Sequence, residues 1–145
     1  MQKGELLSRM LVFATNAHHG QFDKSGQPYI LHPITVMHML QTDDEELQCI
    51  ALGHDLVEDC KVTYQDLWDQ GFTERIIEGI RSMTKVPGET KEEYKAKVKA
   101  NPDSVRVKMC DLRHNSDITR LKDLTPKNIE RTMFYHQFFT ELKAL

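Results

Sequence analysis

Residues 51–59 read Ala-Leu-Gly-His-Asp-Leu-Val-Glu-Asp, and this stretch governs how the rest of the chain is interpreted. It places one histidine and three acids within six residues of an otherwise apolar run. In a helix of about 3.6 residues per turn, Glu58 lies one turn beyond His54, and Asp59 lies one turn beyond Asp55. Burying carboxylates without a partner is unfavourable, and a bound cation would remove that cost. The stretch therefore predicts a cation-binding cluster at one end of a buried helix.

Apolar residues recur at the three-to-four-residue spacing of helices over most of the chain, and no segment shows the alternation of a β-strand. A central helix is predicted to run without a break from Glu45 to about Asp59. A late helix that begins at Pro102 is predicted to continue as far as Leu121. The length suits one domain with a real core. The fold prediction is a compact all-α bundle in which residues 1–145 form a single domain.

The composition is that of a globular protein without a broad basic surface. A net charge of -3 argues against nucleic acid or an anionic membrane as a partner. The three cysteines, Cys49, Cys60 and Cys110, form no CxxC pair, and their odd number suits a reducing compartment. No signal-peptide pattern and no apolar run of membrane-spanning length occurs. These features predict a cytoplasmic protein.

Histidine and aspartate also occur away from the central stretch, as His32 before a proline and as Asp111 among apolar residues of the late helix. Imidazole together with carboxylate suits manganese, iron or zinc, and a mixed nitrogen and oxygen set leaves the choice open. Such an ion can lower the pKa of a bound water and polarise a phosphoryl oxygen. Glu58 and Asp59 could then orient or deprotonate that water. An isolated His-Asp pair is more often structural, but HDxxED in an apolar helix favours a metal site.

Six short blocks follow one another in a characteristic order along the chain. They are Ala17–Gln21, then Lys24–Gly26 with Pro28–Ile30, His32-Pro33, Ala51–Asp59, Met83–Lys85, and Val107–Asp111 with His114-Asn115. This ordered set resembles the HD-domain hydrolases of the RelA/SpoT group, in particular the small stand-alone (p)ppGpp hydrolases. The dipeptide HD is a weak motif, whereas the ordered set is specific. The resemblance implies an HD-type helical bundle around one metal ion, in agreement with the all-α prediction.

The resemblance also implies roles for individual residues. The implied metal ligands are His32, His54, Asp55 and Asp111, with one divalent ion, usually Mn²⁺. The implied catalytic pair is Glu58 and Asp59, and the implied substrate contacts are Lys24, Ser25 and Asn115. Lys85, which follows a turn at Thr84, is a further candidate for substrate contact. The implied reaction is hydrolysis of the 3′-pyrophosphate of a guanosine polyphosphate nucleotide, while the oligomeric state stays open.

Three positions depart from the family's pattern near the expected nucleotide. Asp23 stands where the family carries a basic residue, and Asp117 and Ile118 stand where the family carries Arg-Thr. Two acids should contribute little to binding an anionic nucleotide. These departures favour, as one alternative, an HD phosphomonoesterase or phosphodiesterase acting on another nucleotide. The other alternative is a non-catalytic module that binds metal and nucleotide, although such a module would have little need for the acid pair that ends the 51–59 stretch.

Overall fold

A computed structural model describes residues 2–145, so that only Met1 of the predicted domain lies outside the described residues. These residues form nine α-helices and one 3₁₀ helix, and they contain no β-strand. In chain order the elements are α1 (Glu5–Ala17), α2 (Leu31–Met39), α3 (Glu45–Gly53), α4 (Leu56–Asp59), α5 (Tyr64–Asp69), α6 (Glu74–Met83), α7 (Lys91–Lys99), α8 (Pro102–Asn115), the 3₁₀ helix (Ile118–Arg120) and α9 (Pro126–Lys143). The all-α prediction is confirmed. None of the described helices is long and apolar enough to cross a membrane.

Helix α3 lies at the centre of the main hydrophobic core. Helices α1, α2, α6 and α8 all pack against it, and most of its residues are buried. A second, smaller core between α7, α8 and α9 is built around Tyr94, Leu112 and Phe138. Helix α8 contributes Val107 to the first core and Leu112 to the second. It is therefore held on two sides, which makes it a rigid support for polar residues near its C-terminal end.

The central helix is broken, so the prediction of a continuous helix from Glu45 to Asp59 is wrong. Helix α3 ends at Gly53, and two residues in a turn precede α4. Asp55 adopts φ -102° and ψ -2°, in the bridge region next to the helical one. The His54 imidazole donates from Nδ1 to the Ala51 carbonyl at 2.6 Å. That carbonyl would accept the Asp55 amide in a continued helix, so the histidine side chain competes with the helical hydrogen bond.

The late helix is also shorter than predicted, because it ends at Asn115 instead of continuing to Leu121. Asp117 takes an extended conformation and caps the 3₁₀ helix, accepting from the Thr119 amide at 3.0 Å and from its hydroxyl at 2.6 Å. A side chain that caps a new turn ends the preceding helix. Ile118, which lies within the predicted span of this helix, is outside α8 and half exposed.

Helices α3 and α6 pack closely against each other at Gly79. A Cβ atom at this position would lie 2.4 Å from Cδ1 and 2.8 Å from Cγ1 of Ile50. Both distances are too short for carbon atoms, and Ile50 is fully buried on α3. The absence of a side chain at Gly79 therefore sets how closely the two helices pack.

We predict that Gly79→Ala lowers the free energy of unfolding by about 1–3 kcal/mol, because overpacking of a filled core outweighs the better helix propensity of alanine. Urea unfolding would measure the change. Ile50→Ala provides the control background, since it removes the atoms that the new methyl group would meet. There the same substitution should have little effect or stabilise the fold. An equal loss of stability in both backgrounds would show that packing against Ile50 is not the cause.

Candidate metal centre and adjoining pocket

The four side chains predicted as metal ligands come from three separate elements and converge. His32 lies in the first turn of α2, His54 and Asp55 form the turn between α3 and α4, and Asp111 lies on α8. His32 Nε2 is 2.8 Å from Asp111 Oδ1 and 3.8 Å from Asp55 Oδ2. His54 Nε2 is 3.2 Å from each of these two oxygens. The structure thus brings two imidazole nitrogens and two carboxylate oxygens together around one point.

This group of donors fits a divalent metal ion. Ligand atoms of His32, His54 and Asp55 all lie within 4.8 Å of one another, and Asp111 Oδ1 borders the same two nitrogens. Burial by itself would lower the pKa of His54, but the charges of Asp55 and Asp111 outweigh burial and raise the pKa well above its usual value. The two carboxylates therefore favour a positive charge here, either a proton or a cation. A metal ion would replace that proton, because a ligating imidazole is neutral.

Two neighbours on α8 orient the carboxylate of Asp111 through hydrogen bonds, one to each oxygen. Lys108 Nζ donates to Oδ2 at 2.9 Å, and Asn115 Nδ2 donates to Oδ1 at 3.1 Å. Burial would raise the pKa of Asp111, but the charges of Lys108 and His54 hold it well below its usual range. Lys108 therefore forms an ion pair with the acid three residues further along the same helix. Asn115, predicted to contact the nucleotide, also helps to orient this carboxylate.

The two predicted catalytic acids, Glu58 and Asp59, lie on α4 beside Asp55, and one ligand atom from each of the three falls within 4.8 Å of the others. Glu58 accepts a hydrogen bond from the Lys85 backbone amide at 2.9 Å. Tyr29 donates its hydroxyl to Asp55 at 2.6 Å and lies 3.4 Å from Asp59 Oδ2. Partial burial, together with the charges of Asp55 and Glu58, raises the pKa of Asp59 to about 6. A carboxyl group with this pKa can exchange a proton near neutral pH.

A cavity of about 240 Å³ opens beside His32. Its lining includes three residues predicted to contact substrate, Lys24, Ser25 and Asn115. The lining does not include Lys85, which borders a neighbouring groove along α9. The structure therefore brings three of the four predicted substrate residues to one pocket.

The two acids that depart from the family's pattern are both bonded within their own loops. Asp23 Oδ1 accepts from the amide and hydroxyl of Ser25 and from the Gln27 amide, at 2.7–3.0 Å. Its other oxygen lies 3.4 Å from Nη2 of Arg120. Asp117 is occupied by its capping role. Arg120 also lines the pocket. A positive charge from a distant part of the chain therefore lies beside Asp23, the acid that stands where the family carries a basic residue.

Sequence reasoning missed several residues of this site. Arg131 and Tyr135 reach the pocket from α9, a helix without any motif that would have singled them out. Arg120 and His114 are not among the residues that the sequence predicts for the site. Tyr29 belongs to the Pro28–Ile30 block, and this was the one signal that could have pointed to its hydroxyl. The remaining contacts depend on how the helices pack.

Comparison with known proteins shows the family. The sequence model of the HD domain matches residues 11–113, and the chain belongs to the HD domain family. Guanosine-3′,5′-bis(diphosphate) 3′-pyrophosphohydrolase of Vibrio cholerae is 39% identical over 98 residues, covering 63% of this chain and 14% of that protein. The bifunctional (p)ppGpp synthase/hydrolase SpoT of Escherichia coli K12 is 34% identical over 122 residues, covering 75% and 17%. The chain thus spans less than a fifth of the length of these curated relatives.

A solved structure supports the fold assignment. It is described as a metazoan ortholog of SpoT that hydrolyses ppGpp and plays a role in starvation responses. It superposes with a TM-score of 0.81 at 20% identity, covering 98% of this chain and 87% of that one. The predicted HD-type helical fold and the resemblance to the RelA/SpoT group are confirmed.

We predict that His54→Ala and Asp55→Ala each abolish binding of a divalent ion, because each removes a donor from the centre. The loss should exceed the roughly 10- to 100-fold caused by losing an outer hydrogen-bond partner. Calorimetric titration of metal-free protein with Mn²⁺, Fe²⁺ and Zn²⁺ would measure it. His38→Ala, which removes an exposed imidazole from α2, serves as the control. Stoichiometric binding by His54→Ala would contradict the assignment.

Proposed function

We propose that this protein is a metal-dependent phosphohydrolase that removes the 3′-pyrophosphate of a guanosine polyphosphate alarmone or a closely related nucleotide. One observation carries the proposal. The cluster of His32, His54, Asp55 and Asp111 lies between a pair of acids and a pocket that contains cations. The relatives in the HD domain family, named as hydrolases of guanosine 3′,5′-bis(diphosphate), support the choice of substrate.

His32, His54, Asp55 and Asp111 would hold one divalent ion, for which we propose Mn²⁺. When bound, this ion would lower the pKa of a coordinated water toward neutrality and polarise a phosphoryl oxygen. Asp55 is suited to hold such an ion because its charge persists at neutral pH. Burial would raise the pKa of Asp55, but His54 outweighs it and brings the pKa to about 2. Tyr29 keeps this carboxylate oriented through its hydroxyl.

The acid pair handles the proton of the attacking water. Glu58 is oriented by the Lys85 amide, and it aligns the water through a hydrogen bond. Asp59, with a pKa raised by burial and by its acidic neighbours to about 6, accepts the proton. A base of this pKa is largely ionised at neutral pH and holds a proton well enough to return it to the leaving group.

The pocket offers both charges and hydrogen-bond acceptors to a nucleotide. Lys24, Arg120 and Arg131 supply positive charge for phosphate groups. The Ser25 hydroxyl donates to Asp23, and the Asn115 amide nitrogen donates to Asp111. Both side chains are therefore left with an acceptor oxygen, which suits the O–H groups of a ribose or the N–H groups of a base.

Turnover by metal-free protein re-supplied with Mn²⁺ tests the proposal, with guanosine tetraphosphate and a panel of nucleoside phosphates as substrates. Phosphate and pyrophosphate release are followed in parallel. Pyrophosphate release from guanosine tetraphosphate is the expected result. Phosphate release from another nucleotide alone would support the second candidate, an HD phosphomonoesterase or phosphodiesterase, which Asp23 and Asp117 in the pocket lining favour. Metal binding without any turnover would indicate the binding module.

We predict that Glu58→Gln keeps the metal and lowers kcat by about 10²- to 10⁴-fold, the usual contribution of assistance to proton transfer, because a neutral amide can align the water but cannot help Asp59 to draw off its proton. Steady-state kinetics and metal analysis of the same preparation would separate the two effects. Glu74→Gln, an exposed acid on α6, is the matched control and should leave kcat unchanged. Wild-type turnover by Glu58→Gln would rule out the assigned role.

We predict that Arg120→Ala raises KM by about 10- to 100-fold, with a smaller effect on kcat, because a hydrogen bond to a charged group contributes about 1.5–3 kcal/mol. Arg113→Ala removes the same charge from an exposed position on α8 and should leave KM unchanged. Metal content is measured for both variants, since Arg120 also donates to the His114 carbonyl. Unchanged KM in Arg120→Ala would mean that this guanidinium does not contact the substrate.

A further inference from the structure

The imidazole of His32 meets a second imidazole on the side away from the metal centre. His32 Nδ1 and His114 Nδ1 are 2.7 Å apart, and the two ring planes differ by only 10°. The ring of His32 is almost completely buried, and that of His114 is partly buried. Two ring nitrogens at this distance form a hydrogen bond only if one carries the proton and the other offers its lone pair.

The metal-facing side of His32 decides which nitrogen donates. His32 Nε2 lies 2.8 Å from Asp111 Oδ1, at the point where the ligand atoms converge. A nitrogen that binds a metal uses its lone pair, so the proton of His32 is on Nδ1. His114 Nδ1 must then accept, and the proton of His114 is on Nε2. The other ligating imidazole, His54, donates from Nδ1 to a backbone carbonyl in the same way.

We propose that His114 is a positioning residue of the metal centre, a neutral imidazole whose Nδ1 accepts the Nδ1 proton of His32. This contact fixes the tautomer and the ring direction of His32, so that Nε2 presents a lone pair to the ion. The inference rests on the proposed role of His32 as a ligand. It assigns to His114 a function that is distinct from contact with metal or substrate.

The surroundings of His114 support this assignment. His114 follows Asp111 by three residues on α8, so the same helix presents one ligand and holds a second one. Arg120 Nη1 donates to the His114 backbone carbonyl at 2.9 Å and secures the end of α8. The guanidinium of Arg120 is positively charged, so a neutral His114 ring next to it avoids repulsion between like charges. An imidazole acceptor also adds no negative charge to a centre that already contains two carboxylates.

Two substitutions separate hydrogen bonding from packing. His114→Leu fills space without an acceptor, whereas His114→Asn can present Oδ1 to the His32 proton. We expect His114→Leu to lower Mn²⁺ affinity by about 10- to 100-fold, the range for loss of an outer partner, and His114→Asn to retain most of the affinity. Competition with a chelator of known affinity would measure both. His38→Leu, which changes an exposed histidine on α2, should bind as the wild type does.

A spectroscopic measurement tests the tautomer directly. In zinc-loaded protein with ¹⁵N-labelled histidine, the Nδ1 proton of His32 should give a slowly exchanging, downfield resonance, absent from His114→Leu. A proton on Nε2 of His32, equal losses in His114→Asn and His114→Leu, or wild-type affinity in His114→Leu would each overturn the proposal. Metal affinity and tautomer are measured without substrate, so a failure of the proposed hydrolysis leaves both tests intact. Absence of Mn²⁺ binding by the wild type would instead overturn the metal centre itself.

Discussion

Two carboxylates that face one point, the partly buried Asp55 and the buried Asp111, impose the constraint on which the rest of this structure depends. Their oxygens lie against the same imidazole nitrogen, that of His54, at 3.2 Å. Like charges in a buried place require compensation. Lys108 supplies one positive charge at the Oδ2 atom of Asp111. The imidazoles or a divalent ion supply further positive charge on the side of the centre. The scaffold holds together a group of side chains that would separate in water, and this is characteristic of a site that binds a cation.

The way the helices meet explains how the group is held. Helix α8 contributes side chains to both hydrophobic cores and packs against α2 and α3. The other predicted ligands lie on α2, which carries His32, and directly after α3, where His54 and Asp55 form a turn. The turn after Gly53 interrupts the central helix where His54 bonds back to the Ala51 carbonyl. Broken helical hydrogen bonds reduce local stability, but here the break aims two adjacent side chains at the same point. The helix is therefore irregular at the position where two predicted metal ligands must point in the same direction.

The substrate end shows how charge can be redistributed within one pocket. Asp23 appeared unfavourable for an anionic ligand when considered by sequence alone. In the structure its carboxylate organises the loop that carries Ser25, and its second oxygen faces Arg120, 97 residues away in the chain. The pocket therefore contains a cation contributed by another segment. An acid at the position of the family's basic residue therefore does not leave the pocket without positive charge, because Arg120 supplies one from another segment.

The sequence by itself determined the all-α class, the HD domain family and the residues that converge at the centre. Helical periodicity and the ordered blocks are local properties, and residue chemistry limits which groups can bind a metal. Tertiary structure alone decided the helix break at His54, the end of α8 at Asn115, the separation of Lys85 from the pocket, and the contacts of Arg120 and His114. These features depend on hydrogen bonds that compete with the helical pattern and on distances between segments. Spacing along the chain carries no information about such distances, because they are set by how the helices pack.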